Sequence, residues 1–204
     1  MKGTRFARFV VIVNGAVPLA LLCWDAYRHQ LGANPVNFAI RTTGMMTLIF
    51  LPLSLLVTPV KKLTGWNWLF PFRRTLGLYA FFYACCHFTL FFGLDQSFDV
   101  SRTIGEMVKR PYLVIGSIGL LCLIPLALTS TKNAIKRLGS KRWQALHRLA
   151  YVAAVAGVVH YYMLVKADVR QPIAFAVVVT LLLGFRIVDA VRRRAARESK
   201  ISAA

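Results

Sequence analysis

Six apolar runs follow one another along the chain, separated by short polar connections. They cover roughly 6–24, 37–58, 74–94, 112–129, 143–166 and 171–191, each close to the ~20 residues that a bilayer-spanning helix needs. Turn signals fall between them, at 32–35, 64–71 and 109–111, where glycine and proline punctuate the pattern. Pro18, Pro52 and Pro125 lie inside runs, which membrane helices tolerate because neighbouring helices re-satisfy the freed carbonyls. The pattern predicts an all-α polytopic membrane protein, a six-transmembrane-helix bundle forming a single domain over 1–204, without internal repeat or low-complexity tract.

Composition agrees, since 57% hydrophobic and 12% aromatic residues exceed what a soluble domain of this length carries. The apolar start at 1–27 is expected to remain as a first span. No small-x-small cleavage site follows it, and Leu22 before Cys23 is unlike a lipoprotein signal. Cys23, Cys85, Cys86 and Cys122 all sit inside apolar runs and read as small buried hydrophobes, with neither metal-finger spacing nor a disulfide framework.

The net charge of +19 changes the picture by giving the bundle an orientation. The loops and ends carrying Lys2, Arg5, Arg8, Lys61, Lys62, Arg73, Arg74, the 132–148 cluster and the run from Arg186 hold 19 of the 26 basic residues, against only Asp189 and Glu198. The opposite side has seven basic residues against Asp25, Asp95, Asp99, Glu106 and Asp168. Positive residues mark the cytoplasmic side, so both termini are expected there. The basic residues lie between apolar runs rather than on one stripe with interleaved aromatics, which excludes nucleic acid as the partner and leaves membrane lipids.

Orientation fixes depth, and depth exposes the candidate chemistry. The third run enters from the cytoplasmic side at Arg74, so His87 falls in its outer half; the fifth also runs outward, placing His147 near the inner surface and His160 in the outer half. Ionisable side chains inside spans are costly and need a partner, a metal or a cofactor. Two imidazoles at one depth on different helices can supply both axial ligands of a haem iron. Phe81, Phe82, Phe88, Leu90, Val155 and Val159 are expected to wall the slot. The competing readings are a hydrogen-bonded histidine pair that acts as helix glue and a proton path. His147 has no histidine at its own depth, so a second haem there needs an unusual ligand such as Arg74, which otherwise anchors the inner surface or pairs a propionate. Thirteen residues turn a helix by about 220° net of whole turns, so His147 and His160 share no face unless the helix distorts near Gly157. His29 reads as a solvated loop residue.

The segments FRRTLGLYAFFYACCHF at 72–88 and RLGSKRWQALHRLAYVAAVAGVVHYY at 137–162 resemble the YedZ/MsrQ family within the ferric-reductase-like transmembrane superfamily, and the likeness extends over nearly the whole chain. The resemblance implies a b-type haem electron-transfer subunit in the bacterial inner membrane. It would take electrons from the quinone pool or a cytoplasmic flavin reductase and pass them to a periplasmic molybdopterin subunit, in a heterodimer that reduces methionine sulfoxide in oxidised proteins. It also implies haem b and FMN as cofactors, with His87, His147 and His160 as the matching histidines. The wider superfamily carries two histidines on each of two helices; Arg74 stands where the inner histidine of the third span would be. FMN rests on the resemblance alone, as no glycine-rich phosphate loop follows a strand. Nicotinamide chemistry is expected from a separate protein, since only about a dozen residues follow the last span. The alternatives are a stand-alone metal or oxygen reductase and a haem-free transporter, although spans lack the acidic residues a transporter normally uses.

Overall fold

The computed structural model describes residues 2–202. The side chains of Lys2, Arg5, Arg197 and Lys200, counted above among the basic anchors, fall outside that description. Among the described residues every regular element is helical. These are α1 (Lys2–Tyr27), α2 (Pro35–Thr64), α3 (Phe70–Leu90), α4 (Val100–Lys109), α5 (Pro111–Leu128), α6 (Lys132–Leu138), α7 (Ser140–Leu146), α8 (Leu149–Leu164) and α9 (Arg170–Ser202). A 3₁₀ turn at Asn67–Leu69 leads into α3 and a π-helical turn at Phe91–Asp95 extends it.

Five helical stretches are long and apolar enough to cross a membrane: Phe6–Tyr27, Pro35–Thr64, Asn67–Asp95, Pro111–Leu128 and Arg170–Ala196. The outer part of the fifth apolar run forms α8, whose 16 residues span ~24 Å. It runs antiparallel to α5 along that helix's length: Gly116 lies against His160, Gly119 against Ala156, and Thr129 against His147. α2 and α3 form a second antiparallel pair, with His87 against Gly44 at one end and Lys61 over the Phe70 ring at the other.

The fifth apolar run is not one continuous helix. It breaks at His147–Arg148, not near Gly157, which lies within α8. The backbone there stays right-handed (φ −69° at both residues), but i→i−3 bonds take over, Arg148 N to Ala145 O at 3.1 Å and Tyr151 N to Arg148 O at 2.9 Å. Such tightened turns interrupt the α ladder. Trp143 helps hold the break, its indole N–H donating to the Thr129 carbonyl at 2.9 Å.

Prolines and tyrosines explain how the outer helices are fastened. Pro59 in α2 cannot donate to the Leu55 carbonyl. Arg186 of α9 donates to that carbonyl at 2.9 Å and to the Tyr151 hydroxyl at 3.0 Å, tying α9 to α2 and α8. In α1, beside Pro18, the Tyr83 hydroxyl of α3 enters the helix ladder. It donates to Gly15 O (2.8 Å) and accepts from Leu19 N (3.2 Å), bridging the two partners of one i→i−4 step. Lys62 and Arg193 pair with Asp189 at the basic end of the bundle.

Candidate functional site

His87 and His160 meet between the two antiparallel pairs, with ring centroids 6.1 Å apart and planes at 85°. Each ring is held in the same way. His87, on α3, donates from Nδ1 to the Ile40 carbonyl of α2 at 2.8 Å, and His160, on α8, donates from Nδ1 to the Tyr112 carbonyl of α5 at 2.6 Å. The other backbone partner of each carbonyl in its helix is the amide four residues on, and in both cases that residue is a glycine, Gly44 or Gly116. Thr43, fully buried, turns its hydroxyl back onto the Ala39 and Ile40 carbonyls at 2.8 and 3.0 Å.

With Nδ1 protonated, Nε2 of each imidazole carries the lone pair that binds a metal. Imidazole nitrogens sit ~2 Å from a first-row metal and a ring centroid about 1 Å behind its nitrogen, so two imidazoles on opposite sides of one ion have centroids about 6 Å apart. The observed separation fits one ion held between them. Among the described residues no cluster of three or more histidine, cysteine or acidic side chains offers a rival metal site.

The pair lines a cavity of about 520 Å³, within the range of small-molecule and cofactor sites. Its wall is mostly apolar, with Phe88, Phe91 and Met107 among the larger residues, and Arg41, Tyr161 and Gln171 among the polar ones. Only Phe88 of the expected wall residues contributes. Phe82 and Leu90 line a different cavity, between α1, α2 and α3; Phe82, Val155 and Val159 are exposed at the bundle surface; and Phe81 packs on the core. α8 turns its small face, Ala153 and Gly157, to the cavity instead, and the space left by missing side chains is what a flat ligand needs.

Near the opposite end, His147 stands apart. Its Nε2 lies 3.3 Å from the Thr129 hydroxyl and its ring is 3.9 Å from Trp143. Among the described residues it lines neither large cavity and faces no second histidine. Arg74 is exposed, and Arg73 is the half-buried arginine of that pair. The turn-forming His29 (φ 54°) is exposed in the α1–α2 loop, and all four cysteines are free.

Residues 43–158 match the family described as ferric reductase like transmembrane component. That match includes His87 and His147 and stops two residues short of His160. A protein of Rhodospirillum rubrum named protein-methionine-sulfoxide reductase heme-binding subunit MsrQ is 48% identical over 93% of this chain and 91% of its own length. The protein of the same name from Herminiimonas arsenicoxydans is 46% identical over 91% of this chain and 86% of its own. The chain belongs to the MsrQ family. No solved structure matches it. As an MsrQ family member with its apolar helices laid side by side, it is a multi-pass membrane protein of the bacterial inner-membrane type. The sequence pattern put His87 and His160 at one depth, and the structure brings their rings together; it missed Ile40, Gly44, Tyr112 and Gly116, which lie against them. The only available signal was a glycine inside an apolar run, which is common in membrane helices.

Proposed function

We propose that His87 and His160 hold one b-type haem and that the protein carries electrons across the inner membrane to a periplasmic methionine-sulfoxide reductase subunit. The observation that carries this reading is the pair of imidazoles 6.1 Å apart, each with Nδ1 committed to a backbone carbonyl, which leaves the Nε2 lone pair for a metal. The names of the relatives, heme-binding subunits of a protein-methionine-sulfoxide reductase, supply the cofactor and the partner's activity.

The bound haem supplies reversible one-electron chemistry. The chain's own groups do the rest. The two histidines would hold the ligand, the apolar wall would keep water from it and Arg41, exposed at the rim, would pair with a carboxylate of the ligand. Both termini are cytoplasmic, as the basic residues around Lys62, Arg73, Arg186 and Arg193 indicate, and the His87–His160 end is periplasmic. Electrons enter near His147 and leave near α4. The donor is the quinone pool or a cytoplasmic flavin reductase, FMN serves at the entry side, and the catalytic partner carries molybdopterin; these three follow the family resemblance. His147 acts on the entry side, its Nε2 being engaged by Thr129.

The test is to reduce the detergent-purified protein anaerobically, add the periplasmic reductase subunit, and follow the haem spectrum. Reoxidation that requires both that subunit and methionine sulfoxide is expected. Equal reoxidation by ferric citrate or oxygen alone would favour the stand-alone reductase, and a colourless preparation would return the histidines to helix glue or proton transfer.

A further inference from the structure

The two histidine seats repeat one device on two helix pairs. In each, a carbonyl at position i accepts the imidazole N–H, and a glycine at i+4 lies under the ring. Ile40 and His87 are 47 residues apart, Tyr112 and His160 48. No repeat is visible in the sequence itself, so the correspondence is one of geometry.

The glycines matter because of what a methyl group would meet. A Cβ on Gly44 would lie 2.9 Å from His87 Nδ1 and 3.0 Å from its Cε1; a Cβ on Gly116 would lie 2.8 and 3.0 Å from the same atoms of His160. Carbon atoms do not pack that closely, so alanine would push each ring off its helix and away from the carbonyl. Gly77, on the same helix as His87, is different: its Cβ would reach Ser54 at 4.0 Å, an ordinary contact.

We infer that Gly44 and Gly116 are positioning residues, which let the Ile40 and Tyr112 carbonyls fix each imidazole's tautomer and hold the two ligand planes perpendicular. This rests on the haem reading above. The carbonyl bond also makes each imidazole a stronger electron donor to bound iron, which favours the oxidised state and keeps the potential low.

The consequence is spectroscopic. In a low-spin ferric haem, perpendicular axial imidazoles leave two iron d orbitals nearly equal in energy. The electron paramagnetic resonance spectrum is then dominated by one line at very low field. Parallel planes separate those orbitals and give three resolved g values. The experiment records this spectrum and the midpoint potential for the wild-type protein, Gly44→Ala, Gly116→Ala and Gly77→Ala. The expected result is the single low-field line in wild type and Gly77→Ala, and a resolved three-line spectrum with a raised potential in the other two. Loss of haem from Gly44→Ala or Gly116→Ala, with the helical signal and monodispersity of Gly77→Ala kept, also supports the seats. Unchanged spectra and potentials in Gly44→Ala and Gly116→Ala, or equal shifts in Gly77→Ala, would overturn the inference. Should the alanine variants fail to fold, the wild-type spectrum decides: three resolved g values overturn it and the single line upholds the perpendicular planes. A wild-type protein without haem would instead defeat the haem reading on which the inference stands.

Discussion

Replacing Arg186 with methionine removes a side chain that ties α9 to both α2 and α8. Its guanidinium donates to the Leu55 carbonyl and the Tyr151 hydroxyl, and Leu55 is only 1% exposed. Hydrogen bonds from charged donors contribute roughly 1.5–3 kcal/mol each. Against this, Arg186 Nε is buried without a partner, so methionine recovers part of that cost and the net loss should be about 2 kcal/mol. The carbonyl needs Arg186 because Pro59 supplies no N–H. In a Pro59→Ala background the helix can satisfy Leu55 itself, and losing Arg186 should then cost only about 1 kcal/mol. Unfolding of the four proteins in mixed detergent–SDS micelles, followed by tryptophan fluorescence, measures the cycle. A coupling near 1 kcal/mol is expected; additivity to within about 0.3 kcal/mol would refute the idea that arginine substitutes for the missing amide.

Tyr83→Phe removes the hydroxyl bridging Leu19 N–H and Gly15 C=O and should destabilise the protein by roughly 1–3 kcal/mol without altering haem content. Unchanged stability in the same assay would mean that α1 closes its own ladder. Arg41→Glu should speed haem loss to an apomyoglobin acceptor by about fivefold, the equivalent of about 1 kcal/mol; an unchanged rate would remove Arg41 from the rim. His147→Ala should slow reduction by a quinol or flavin donor while leaving haem content intact, and equal loss of both would count against an entry-side role.

Depth along the spans was readable because basic clusters mark one surface and each histidine can be counted from its entry point. That reasoning brought His87 and His160 to one level, where the structure has them 6.1 Å apart. Rotation about each helix was not readable. A membrane helix is apolar on its lipid face and its core face alike, so no amphipathic signal separates Val155 and Val159 from Ala153 and Gly157. The slot is therefore walled by small residues where larger ones were expected. The break at His147–Arg148 was hidden because neither glycine nor proline marks it in the sequence and because the bond that accompanies it, Trp143 to the Thr129 carbonyl, joins two distant turns. α4 was missed although its cap, Asp99 accepting from Arg102 N at 2.9 Å, and the spacing of Val100, Ile104 and Val108 are both plain in the sequence. Its Met107 closes one side of the cavity.

The central claim is one haem between His87 and His160. The most direct measurement is the reduced-minus-oxidised spectrum and haem-to-protein ratio of the detergent-purified protein, alongside His87→Ala, His160→Ala and His147→Ala. One haem per chain, lost with either His87 or His160 and kept in His147→Ala, is the expected outcome. A full haem complement in both His87→Ala and His160→Ala, or a second haem that disappears with His147, would contradict it.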